Sequence, residues 1–114
     1  MNFIIKSRNL INLKNLIEID DDKYEYFYKG KSIKFLQDGI FFIYLTIQLD
    51  ELNNDINIYF LLNHKEICNL TKLNNETYVF NKIIKMDNNN IISFKNKTNN
   101  ILKINNIKLN IHKL

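Results

Sequence analysis

The sequence predicts an all-β chain, an antiparallel sandwich or barrel, and three observations carry that reading. Apolar runs recur at intervals of roughly ten residues with polar turns between them, the spacing of short strands in such folds. Asn and Asp clusters supply the turns, because proline is absent and only Gly30 and Gly39 provide glycine. The longest apolar run, Gly39 to Leu49, is β-branched and aromatic and lacks helix caps. The 114 residues make one domain, long enough for a single core and too short for two.

Taken in order, Asn2 to Lys6 and Leu10 to Ile19 carry the most ambiguous pattern in the chain. In Leu10 to Ile19 the odd-numbered Ile11, Leu13, Ile17 and Ile19 favour a strand, although Leu10, Leu13, Leu16 and Ile17 also trace a helical stripe. Residues 1–22 are therefore an N-terminal strand or an arm. Glu18 to Asp22 is an acidic turn, followed by an extended stretch whose Tyr24, Tyr26 and Tyr28 alternate onto one side. Gly30 breaks it. Ser32 to Gln37 resumes as a strand with Ile33 and Phe35 on one face, and Asp38-Gly39 reads as a hairpin turn into the central strand.

The central strand has two different faces. Phe41, Ile43, Leu45, Ile47 and Leu49 are apolar at every step and predict the core side. Ile40, Phe42, Tyr44, Thr46 and Gln48 start apolar and end polar, which leaves Phe42 and Tyr44 needing a cover. A second subunit would supply it, or the N-terminal segment would within one chain. Tyr59, on the next strand in the chain, is a further interface candidate.

Beyond a polar loop at Asp50 to Asp55, Ile56, Ile58, Phe60 and Leu62 alternate with Asn57, Tyr59 and Leu61. Asn63-His64-Lys65 turns into a short strand through Leu70. Tyr78 to Met86 alternates except around Ile83-Ile84, Asp87 to Asn90 is a turn, and Ile91 to Phe94 starts the next strand. Another turn at 96–100 leads to a closing strand marked by Ile101 to Ile104 and then Ile107, Leu109 and Ile111.

Catalysis needs a nucleophile, a base and an orienting group together, and no motif joins His64 and His112 to Ser7, Ser32 or Ser93. No enzymatic activity and no cofactor is expected. Metal binding is not expected either: His64 and Cys68 converge only on a helix, and Asp20 to Asp22 or Asp50, Glu51 and Asp55 read as solvated turns. Cys68 is the one cysteine, so no internal disulfide forms. Three Asn-X-Thr triplets, at Asn69, Asn75 and Asn96, are expected in so asparagine-rich a chain. The first eight residues lack the apolar core of a secretory leader, and no run approaches the length of a membrane span.

The net charge of +4 allows an acidic partner without demanding one, because the lysines are scattered. One cluster offers an alternative function. Tyr24, Tyr26 and Tyr28 with Lys29, Lys31 and Lys34 combine aromatics for stacking with cations for phosphates, as in small barrels that bind single-stranded nucleic acid. Set against it are the neighbouring acidic residues and a simpler reading, an edge strand whose tyrosines pack inward while its lysines discourage edge pairing.

From Ser32 onward the chain resembles the jelly-roll heads of the complement-type globular domain and tumour necrosis factor superfamily. The likeness is greatest to the heads of bacterial collagen-like spore-surface glycoproteins. Asp38-Gly39-Ile40-Phe41-Phe42-Ile43-Tyr44 is similar to that superfamily's glycine and aromatics in its long central strand. Tyr78 to Phe94 resembles its paired strands around a tight turn, and Ile107 to Leu114 its closing strand. The resemblance implies an antiparallel jelly-roll sandwich, assembled as a homotrimer with the central strands' aromatics about the axis. It also implies a protein or glycan partner at the outer loops or the grooves between subunits, on a virion, spore or cell surface.

Overall fold

The computed structural model describes residues 3–14, 16–50 and 56–114. Its strands are β1 (Phe3–Ile5), β2 (Tyr24–Phe27), β3 (Ser32–Phe35), β4 (Gly39–Leu49), β5 (Ile58–Leu62), β6 (Lys65–Asn69), β7 (Thr71–Lys72), β8 (Thr77–Met86), β9 (Ile91–Asn96) and β10 (Leu102–Lys113). They form two five-stranded antiparallel sheets, ordered β1-β10-β4-β8-β7 and β2-β3-β9-β5-β6. Face to face, these make a jelly-roll sandwich. Among the described residues no helix is present.

The core lies between the sheets, and β4 supplies its centre. Phe41, Ile43, Leu45 and Ile47 are fully buried and Leu49 nearly so, as the unbroken apolar face requires. Two groups of aromatic rings join the sheets. Phe41 of β4 meets Tyr24 and Phe35 at centroid distances of 6.0 and 4.8 Å. Phe80 of β8 meets Phe60 and Phe94 at 4.3 and 5.5 Å. Each large ring fills space between the layers that smaller side chains would leave open.

β10 is one strand with an extra residue. Its register against β4 shifts between Ile104 and Asn106, so Asn105 has no opposite number. The shift resets the alternation, and both Leu102 and Ile104 before it and Ile107 and Leu109 after it face the core.

The structure corrects two expectations about connections. Asp38-Gly39 is not a hairpin, because β3 and β4 belong to different sheets. Asp38 instead accepts a 2.6 Å hydrogen bond from the Asn88 amide and ties the crossover to the β8–β9 turn. The tight hairpin lies at Asn63-His64, both with positive φ of 51° and 69°, between the paired Leu62 and Lys65. The stretch from Leu10 to Ile19 is not a regular strand either. It touches β9 through a Leu10–Lys95 bridge and an Ile11 amide bond to the Phe94 carbonyl at 2.8 Å, and it buries Ile11 and Leu13. β3 already occupies β9 at Ile91 and Ile92, so little ladder is left for it.

Asn96 closes one end of the sandwich. Its buried amide nitrogen lies 3.3, 3.2 and 3.4 Å from the carbonyls of Ile5, Lys6 and Asn100. Its side-chain oxygen accepts from the Thr98 amide at 2.9 Å. The Asn96 triplet is thus structural, with an amide inaccessible in the folded chain.

Candidate functional site

The outward face of the β4 sheet holds the feature that most needs a partner. Phe42 and Tyr44 both lie on it, half-buried, with their rings stacked 6.3 Å apart at 9°. Antiparallel register sets their neighbours. Phe42 stands between His112 of β10 and Ile83 of β8, and Tyr44 between Asn110 and Asn81. One row further, the Leu114 amide donates to the Ile40 carbonyl at 2.8 Å, with Lys85 opposite Ile40 on β8. Ile40, Ile83 and Leu114 are 50%, 64% and 68% exposed. The patch is apolar at its centre and cationic at its margin. No strand position of β4, β8 or β10 carries a carboxylate.

The sequence signal for Ile83 was the broken alternation at Ile83-Ile84. Ile84 packs against the core while Ile83 faces outward, one residue to each side of the sheet. Leu114 continues the exposed row beyond the end of β10.

The N-terminal segment does not pair over this face. Its described contacts are with β9, β2 and the β2–β3 turn, the β9–β10 turn, and β10, where Ile5 pairs with Leu102. Tyr59 is also separate from it. It lies on β5 in the other sheet, half-buried under the Lys97 ammonium, which sits 4.9 Å from its ring centroid. β4 and β5 are consecutive in the chain but belong to different sheets.

The tyrosine and lysine cluster is dispersed. β2 ends at Phe27, and Tyr28 and Lys29 take positive φ of 52° and 57°, which breaks the alternation expected to align three rings. Tyr24 is a core residue, and burial first, then the Asp20 charge, holds its hydroxyl above the ordinary value of 10.0. Tyr26 places its hydroxyl 2.9 and 2.8 Å from the carbonyls of Lys14 and Ile17, and burial raises its pKa too. Only Tyr28 is broadly exposed, with its ring 5.4 Å from that of His64. Lys34 lies over Phe27 at 5.3 Å, while Lys29 and Lys31 stay in the turn. β2 is an edge strand whose first two tyrosines pack inward, so the three rings form no common stacking surface.

Among the described residues no group of three or more His, Cys, Asp or Glu side chains could hold a metal. Glu51 and Asp55 of the acidic loop lie outside the described residues. His64 packs on Tyr28, and Cys68 packs partly against the core as a free thiol. His112 flanks Phe42.

No protein-family model matches this sequence, and no curated protein matches it. Solved structures do. The crystal structure of rabbit GITRL aligns with a TM-score of 0.58 at 20% identity, covering 82% of this chain and 78% of that one. The chain has the fold of GITRL. Pika GITRL aligns at TM-score 0.52 and 16% identity, over 80% of this chain and 82% of that one. Bushbaby GITRL aligns at 0.50 and 20%, over 71% and 72%. At these identities the likeness concerns the fold alone, the antiparallel jelly-roll sandwich expected from the sequence.

Proposed function

We propose that this chain is a non-enzymatic recognition or structural module that works as a homotrimer. The patch around Phe42 and Tyr44 packs at the subunit contact, and the outer loops or the grooves between subunits take a protein or glycan partner on a virion, spore or cell surface. One observation carries the reading: an apolar patch with Ile40, Ile83 and Leu114 each at least half exposed, set on the flat face of a jelly roll. Such a surface costs free energy while water covers it, and a second copy would remove that cost. The trimeric number and the surface setting come from the resemblance of β4 and the closing strand to trimeric heads.

Absolute mass by light scattering after gel filtration tests it, with Tyr44→Lys beside the unaltered chain. A trimer that the substitution splits into folded monomers supports the reading. A monomeric unaltered chain sinks its trimeric part.

A further inference from the structure

A second unsatisfied feature lies at the edge of the β4 sheet. β1 covers β10 only from Leu102 to Ile104. From Ile107 onward β4 is the sole strand beside β10 among the described residues. The Leu114 to Ile40 bond sets the phase of the ladder. Lys108, Asn110 and His112 face Thr46, Tyr44 and Phe42 as hydrogen-bonded pairs, so the N–H and C=O groups of Leu109, Ile111 and Lys113 point the other way. Among the described residues no backbone group bonds to them.

A groove of about 450 Å³ runs along this edge, between β10 residues 108–112 and the segment Leu16-Ile17-Glu18. Leu16, Ile17 and Ile111, all half-buried, give it an apolar floor. An open row of alternating donors and acceptors beside such a floor fits one kind of occupant, another extended backbone with alternate apolar side chains.

Charge selects among extended backbones. On the open stretch of β10 no residue is acidic and Lys108 is exposed with no ion pair among the described residues, while Glu18 on the opposite wall is the one described carboxylate lining the groove. A second copy's β10 would set one Lys108-bearing edge against another, while a carboxylate on the outward side of an added strand would meet Lys108 as an opposite charge. We propose that a partner protein adds an extended acidic segment to the open edge of β10. Its carboxylates lie over Lys108 and His112, and its apolar residues lie against Leu16 and Ile17.

Amide hydrogen exchange on the full chain tests this, using a synthetic peptide that alternates glutamate with valine and a control that alternates lysine with valine. The glutamate peptide is expected to slow exchange at Leu109 and Ile111 about tenfold or more, with the lysine peptide inert. Lys108→Glu, at an exposed site, should reverse that preference. Slow exchange at these amides without any peptide would overturn the proposal, as would equal effects of both peptides or none from either. Light scattering on the same samples reads the trimer separately, so failure of the edge site and failure of the subunit contact are distinguishable.

Discussion

Phe60 and Phe80 stack across the two sheets with ring centroids 4.3 Å apart and planes 25° from parallel. Both are buried, and Phe94 packs against each at 5.5 Å. Removing one ring would leave a cavity that rigid strands cannot close. Phe60→Ala should therefore cost about 3–5 kcal/mol of stability, read as a lower denaturant midpoint. An unchanged midpoint would show that this trio does not bear on the sandwich.

Ile83 offers the opposite test, since it is a large apolar residue whose loss should not harm the fold. Facing outward opposite Phe42, Ile83→Lys should change the stability of an isolated subunit by about 0.5 kcal/mol or less. On the proposed contact it would place a cation among apolar side chains and should lower the mass seen by light scattering. A loss of folding instead, followed by circular dichroism, would mean that Ile83 supports the sandwich itself.

The contrast between these two residues shows what the sequence disclosed. β4 was legible because Phe41, Ile43, Leu45, Ile47 and Leu49 are apolar at every second position, and that row assigns the core face. The outward patch was legible at Phe42 and Tyr44, but only weakly at Ile83, where two adjacent isoleucines serve opposite faces. Tyr28 was misassigned because nothing local marks a tyrosine and a lysine for consecutive positive φ. Asp38-Gly39 was misread because a turn signal announces a change of direction without saying which sheet receives the next strand. In Leu10 to Ile19, odd spacing correctly marked Ile11 and Leu13 for burial. It did not reveal that β3 already holds part of the neighbouring edge.

Asn96 should prove more sensitive than its polarity suggests. Asn96→Ala would leave carbonyls of Ile5, Lys6 and Asn100 without this donor and the Thr98 amide without its acceptor. Each buried group left unpaired costs about 1–3 kcal/mol, so the melting temperature should fall by several degrees. Faster exchange of amides in β1 should accompany it. A melting temperature within a degree or so of the unaltered chain would show that water replaces the amide.

The tyrosines predict an alkaline limit. Tyr24, Tyr26 and Tyr78 have hydroxyl pKa values raised by burial above 10.0, with Asp20 adding to the effect at Tyr24. A raised folded-state pKa means that the unfolded chain loses its protons first as the pH climbs. The stabilisation is complete below pH 10.0 and is lost as pH rises through the higher folded values. Denaturant midpoints should therefore hold steady towards pH 9 and fall above about 10. Tyr24→Phe, which removes a titrating group, should make that fall shallower, and an unchanged slope would argue against the assignment.

Gly30 controls how the N-terminal segment docks. Its φ of +86° follows two residues already left-handed, and its carbonyl accepts the Leu13 amide at 2.7 Å. A Cβ there would meet the Lys14 Cβ at 2.6 Å, too close for either to remain in place. Gly30→Ala thus combines backbone strain with a clash and should cost at least about 1 kcal/mol. The damage should be local. Limited proteolysis is expected to cut around 14–19 sooner, because lifting Lys14 also loosens the carbonyl beside the Tyr26 hydroxyl. Tyr26→Phe should reproduce the earlier cutting with a smaller loss, about 1 kcal/mol for the hydrogen bond alone. If Gly30→Ala melts lower while the cutting pattern stays the same, the glycine serves the β2–β3 turn and not the docking of the segment.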